Sequence, residues 1–132
     1  MKTFMSDFNS HCYAGMRFVV GFLFLWHGVQ KLFGYPLPMP PGVPAYITYV
    51  AGPIELMGGV LVMFGLFTRY AAFLASGLMA SAYWIAHGTN ALLPLLNNGE
   101  LAALYCFVFL FISTQGSGIF SVDALINRKK DI

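Results

Sequence analysis

His27, Lys31 and Glu55 are ionisable residues set in stretches that otherwise carry almost no charge. A carboxylate in such surroundings is either paired or protonated, and it faces protein or water rather than hydrocarbon. Glu55 can accept a proton or hydrogen-bond a carbonyl, His27 can relay protons, and Lys31 can offset a negative charge. Glu55 and His27 are therefore the candidate reactive pair. Lys31, Trp26, Trp84, His87 and Glu100 are candidate ligand-binding residues, with Phe33 as a further apolar wall. No metal is expected: two histidines without a third nitrogen or sulfur ligand do not make a zinc site. Axial haem ligation by His27 and His87 is the alternative use of that pair. Cys12 and Cys106 form no CxxC motif, and with Cys12 near the inner face and Cys106 about midway through the fourth helix, their separation excludes an intramolecular bridge.

The elements that hold these residues follow from composition. In 132 residues, 58% are hydrophobic and only 9% charged, and the mean hydropathy is +0.72. A soluble domain carries about 25% charged residues. A chain this short cannot cover itself with seven Lys/Arg and five Asp/Glu, so lipid is the solvent for most of its surface. A net charge of +2 without a basic stripe excludes nucleic acid as a partner. Four apolar stretches, at about 14–33, 45–66, 70–88 and 99–115, each have the roughly 17–22 residues needed to span the hydrocarbon as a helix. None alternates with period two, so a barrel is not expected. The first stretch is too long an apolar core for a signal peptide, and residues 34–36 do not resemble a cleavage site. The expected fold is all-α: a single domain over 1–132, a bundle of four transmembrane helices with a short C-terminal tail.

Lys2, Arg17, Arg69, Arg128, Lys129 and Lys130 fall on one side of such a bundle, and Lys31 alone falls toward the other. The positive-inside bias then predicts both termini in the cytoplasm of a bacterial inner-membrane protein. Arg17, Arg69 and Asp123 mark the cytoplasmic face, with Asp123 the expected acidic partner of one arginine and lipid snorkelling the competing role. The connections 34–44 and 89–98 face outward. The first is uncharged and dense in proline, extended or polyproline-like, a spacer or a lid. The second carries Leu92, Leu93, Leu95 and Leu96 and can dip into the interface.

At 100° per residue, Arg17, Gly21, Phe24, Gly28 and Lys31 share a stripe bordered by His27. Thr48, Ala51, Gly52, Glu55, Gly58, Gly59 and Val62 share a face of the second helix, and Gly77, Ala80, Ser81, Trp84 and His87 one of the third. Small residues on such faces are expected to let backbones approach closely. Tyr46, Tyr83 and Trp84 suit interfacial anchors. Counted from the outer helix ends, Lys31 lies shallow, His27 at roughly 9 Å and Glu55 at roughly 15 Å, with His87 and Glu100 at the rim. They could line one polar path descending from the outer mouth. Trp26-His27-Gly28 and Trp84…His87-Gly88, each followed by a helix with glycine and glutamate, also form a faint parallel repeat.

The run Arg17…Gly21…His27-Gly28…Lys31-Leu32-Phe33-Gly34 resembles the first helix of the DoxX family of small membrane proteins. Gly52…Glu55…Gly58-Gly59…Gly65-Leu66-Phe67-Thr68-Arg69 resembles its second helix and turn. Asn98-Gly99-Glu100…Gly116-Ser117-Gly118…Ser121-Val122-Asp123 resembles its last helix and the segment beyond. The resemblance covers nearly the whole chain, and the proline-rich loop departs from it most. It implies a four-helix inner-membrane bundle linked to oxidoreductase systems, since founding members are named for a terminal quinol oxidase and a thiosulfate:quinone oxidoreductase. A quinone is then the expected cofactor or ligand, its head group meeting Glu55, His27 and Lys31. The expected partners are the lipid bilayer and another membrane or peripheral redox protein, with a homo-oligomer as a further option. The alternative is a non-catalytic subunit that anchors a partner complex, which the lack of any flavin, haem or iron–sulfur motif favours. Proton or small-solute transport is the third reading, resting on Glu55.

Overall fold

The computed structural model describes residues 4–130, and within them every regular element is helical. Lys2 lies outside the described residues, as do the side chains of Lys129 and Lys130. After a 3-10 turn, Ser6–Phe8, helix α1 runs unbroken from Asn9–Phe33. It begins before the apolar stretch does and ends on Gly34, whose left-handed φ of 64° lets its N–H close on the Gln30 carbonyl. The second helix opens as a π-helical turn, Ile47–Ala51, and continues as α2, Gly52–Phe64. Pro53 explains this: it has no N–H for the Tyr49 carbonyl, and the wider π register carries the chain past that gap. Helix α3, Thr68–Ala82, ends in a second π turn, Tyr83–His87, closed by Gly88 N–H on Tyr83 O at 2.7 Å. A short α4, Pro94–Asn97, precedes α5, Glu100–Gln115, and a further helix α6, Val122–Lys130, forms where the sequence suggests only a tail.

Two helices among the described residues, Ser6–Phe33 and Ile47–Phe64, are long and apolar enough to cross a membrane, and Glu100–Gln115 is a shorter apolar helix. Glycines join α1 to α2. A Cβ on Gly28 would lie 2.3 Å from Leu56 N and 2.7 Å from Gly52 O, and one on Gly59 would lie 2.6 Å from Leu25 N. The two backbones therefore touch, as close helix pairs in lipid do. Helix α3 packs on α5, where Ser76 Oγ donates to Cys106 O at 2.8 Å, and its buried residues include Ala72, Ala75, Ser76 and Met79. This corrects the face read from the sequence, because Gly77, Ser81 and Trp84 are exposed. Phe24, Val62, Ala72, Ala75, Phe109 and Ile112 close the centre of the bundle.

The end that carries the α2–α3 turn is latched by side chains capping helix ends. Arg17, 1% exposed, donates to the carbonyls of Val62 at 2.6 Å, Met63 at 2.8 Å and Phe120 at 2.7 Å. Arg69 caps α5 through the carbonyls of Ser113, Thr114 and Gln115. Asp123 accepts from Phe67 N at 2.9 Å, Thr68 N at 3.1 Å and Thr68 Oγ1 at 2.9 Å, capping α3. Among the described residues Asp123 makes no direct salt bridge with either arginine, though its charge acts on Arg17 nearby. The cations satisfy orphan carbonyls and the anion satisfies orphan amides, each where the helix dipole favours it. Buried Arg17 does not snorkel into lipid.

Candidate functional site

At the opposite end of the bundle, α1, the start of α2, the end of α3 and the start of α5 enclose a cavity of about 550 Å³. Its size is that of an ordinary small-molecule site. The Gly28–Gly52 contact holds α1 against α2 beside it. Lys31 lies one turn beyond Gly28 on α1, its Cβ 3.2 Å from where a Gly52 Cβ would sit, and its side chain reaches down one turn of α2. There Nζ meets Glu55 Oε2 at 2.5 Å, with the glutamate side chain 3% exposed. Among the described residues the other carboxylate oxygen, Oε1, has no hydrogen-bond partner. The pair cancels charge in a poorly solvated place while leaving donor and acceptor capacity for a ligand.

His27 and Tyr105 complete the floor. Their rings meet edge to face, centroids 5.9 Å apart, and Tyr105 stacks on Phe109. Among the described residues neither the His27 nitrogens nor the Tyr105 hydroxyl makes a hydrogen bond, and both residues line the cavity. At the rim, His87 Nδ1 lies 2.9 Å from Asn97 O and donates to it, and Nε2 has no hydrogen-bond partner among the described residues. Asn97 holds this corner together: Nδ2 donates to Ala91 O at 2.8 Å and to Tyr83 Oη at 3.3 Å, and Oδ1 accepts from Gly99 N.

Of the residues singled out from the sequence, Glu55, His27, Lys31 and His87 share the cavity. Trp26, Trp84, Glu100 and Phe33 do not line it. Trp26 packs on Phe22 and Tyr35, and Trp84, 63% exposed, packs on Tyr83. The aromatic walls come instead from Tyr105 and Tyr46. Tyr105 escaped notice because it sits among apolar residues of α5. Its one signal is the 102, 105, 109, 112 spacing of that helix's buried face. None of residues 35–44 lines the cavity. Asn98 and Leu101 line the α5 side in place of Glu100. Among the described residues no three His, Cys, Asp or Glu side chains gather to hold a metal. Cys12 and Cys106 are both free.

Toward the middle of the bundle the cavity stops at a layer of rings. Phe24 packs on Phe109 at 4.6 Å and on Tyr105 at 5.3 Å, and fully buried Val62, Ala72, Ala75 and Ile112 complete the layer.

A helical bundle with spans of membrane length and a cavity whose floor carries a charged pair is the class defined by fold and site together. The DoxX family profile matches residues 13–88, more than half of the chain. The protein belongs to the DoxX family of membrane proteins. An uncharacterized protein of Haemophilus influenzae is 38% identical over 131 residues, covering 95% of this chain and 98% of its own. The Bacillus subtilis protein named "Putative oxidoreductase CatD" is 30% identical, covering 87% of each chain. Inner membrane protein YqjF of Escherichia coli is 27% identical, over 86% of this chain and 90% of its own. No solved structure matches.

Proposed function

We propose that the protein is a quinone-binding component of a bacterial inner-membrane redox system, working beside a partner that carries the electron-transfer group. The observation that carries this reading is the cavity floor. A neutralised Lys31–Glu55 pair, with Glu55 Oε1, the His27 nitrogens and the Tyr105 hydroxyl unpartnered around it, suits an uncharged ring that bears hydrogen-bonding oxygens. Lys31 and Tyr105 can donate to a carbonyl, while Glu55 and neutral His27 can accept from a hydroxyl. The site can therefore hold either protonation form of such a ring. The oxidoreductase name of CatD and the inner-membrane name of YqjF lie in the same direction.

In this reading α1, the Ile47–Phe64 helix, α3 with its π turn, and α5 each cross the bilayer, and both termini are cytoplasmic. The described cations Arg17, Arg69 and Arg128 lie toward one end, and Lys31 toward the other. The cavity then opens in the outer half. Beneath Glu55 the fully buried Phe24, Val62, Phe109 and Ile112 are apolar, which argues against transport.

The test is the quinone content of the purified protein. An organic extract of the wild type should hold quinone near one per chain, and Glu55→Gln should lose most of it at unchanged helicity. Equal content in both, or none in either, overturns the reading.

A further inference from the structure

The charged pair of the cavity lies on its floor, and above it, beside Tyr46, Ser81, His87 and Asn98, much of the wall is aliphatic: Ile47, Val50, Leu78, Ala82, Ile85 and Leu101. Several wall residues also face outward. Val50 is 55% exposed and Ile85 60%, yet both line the cavity. A side chain with one face in a cavity and the other on the surface stands at an opening, and these two stand in the two π turns. The helices bearing them meet near the middle of the bundle, where a Cβ on Gly58 of α2 would touch Ala75 of α3 at 3.9 Å. The side between α1 and α2 is sealed by backbone contact, and His27 against Tyr105 closes the floor between α1 and α5.

The gap between α2 and α3 therefore looks out from the apolar flank of the bundle. We propose that the ligand is a chain-bearing amphiphile that enters sideways from the bilayer between the π turns Ile47–Ala51 and Tyr83–His87, polar ring first, and leaves its chain in that gap. A ligand that came from water would leave a desolvated aliphatic wall with nothing to bury, whereas a chain covers it. From Glu55 to Val50 is five residues of helix, about 8 Å, so the first carbons of the chain lie between the two turns. The π turns serve this purpose, each setting its helix out of the regular register where the chain must pass, as π turns at functional sites do. This inference rests on the quinone-binding reading and adds to it the route and the requirement for a chain.

The probes are decylubiquinone and the same dimethoxy-methyl-benzoquinone ring without a tail, bound to the purified full chain in nanodiscs. Decylubiquinone, referred to its free concentration in water, should bind at least about tenfold tighter, the equivalent of burying roughly two methylenes. Val50→Trp and, independently from the other helix, Ile85→Trp should weaken decylubiquinone by about tenfold and the tail-less ring much less. A diazirine near the ring end of the decyl chain should label residues 46–51 and 83–87. Equal binding of the two probes, equal effects of both tryptophans on both probes, or labelling in loop 35–44 overturns sideways entry. Loss of the tail-less ring in Glu55→Gln would then still support the site. If neither probe binds the wild type, the quinone-binding reading falls and this inference with it.

Discussion

Replacing Lys31 with methionine keeps most of the side chain's bulk and removes the charge that sits 2.5 Å from Glu55 Oε2. The carboxylate is left 3% exposed with no cation beside it. Stranding a buried charge in this way costs about 3–5 kcal/mol. Protonation limits the damage. A carboxyl group with an ordinary value of about 4.3 is neutralised at pH 7 for about 3.7 kcal/mol, and at pH 5 for about 1 kcal/mol. The unfolded chain releases that proton as pH rises while the folded variant keeps it, so Lys31→Met loses stability with rising pH. At about 4 °C per kcal/mol for a chain of this length, the melting temperature should fall by about 15 °C at pH 7 and by about 4 °C at pH 5. Lys31→Met/Glu55→Gln removes the stranded charge and should recover most of the loss, a coupling of about 2–3 kcal/mol. Circular dichroism melts of the wild type, both single variants and the double variant in one detergent, at both pH values, measure all of this. A pH-independent Lys31→Met effect, or additive single effects, would refute a desolvated pair at the cavity floor.

Gly28→Ala would set a Cβ 2.3 Å from a backbone nitrogen of α2 and should cost at least about 3 kcal/mol, the upper part of the overpacking range. Gly15→Ala, with nothing within 4 Å, should be neutral or stabilise by up to about 1 kcal/mol; the same melts compare them. Asp123→Ala removes three hydrogen bonds to the start of α3 and should cost about 1–2 kcal/mol, as lost helix caps do. Asp123→Asn should recover part of that, whereas a neutral Asp123→Ala would deny the cap. In a background of Cys12→Ser and Cys106→Ser, Ser10→Cys should react with an impermeant maleimide only after the inner face is opened, and Leu92→Cys in intact cells. The reverse pattern would invert the proposed topology.

The number of charged groups and the lengths of apolar sequence determine by themselves that this chain is helical and bound for lipid. The glycines at 21, 28, 52 and 59 already foretell a close helix pair, because only a missing Cβ allows it. Glu55, Lys31 and His27 were legible too, since a titratable group costs so much in hydrocarbon that it must have company. The partners of these groups were not legible. Periodicity gives a side chain's direction about its own helix axis and says nothing of how that axis is turned toward its neighbours. In lipid the ambiguity is sharper, because apolar residues cover the outside as well as the inside. Trp84 and Gly77 on the outer face of α3 therefore look from the sequence as inward as Ala75 and Met79. Tyr105 is one more aromatic in an apolar run until the rotation of α5 brings it against His27. Arg17 and Asp123 have opposite charges and suggest one ion pair. Tertiary structure gives each of them helix ends instead, because unpaired carbonyls and amides in a water-poor bundle need charged partners of their own.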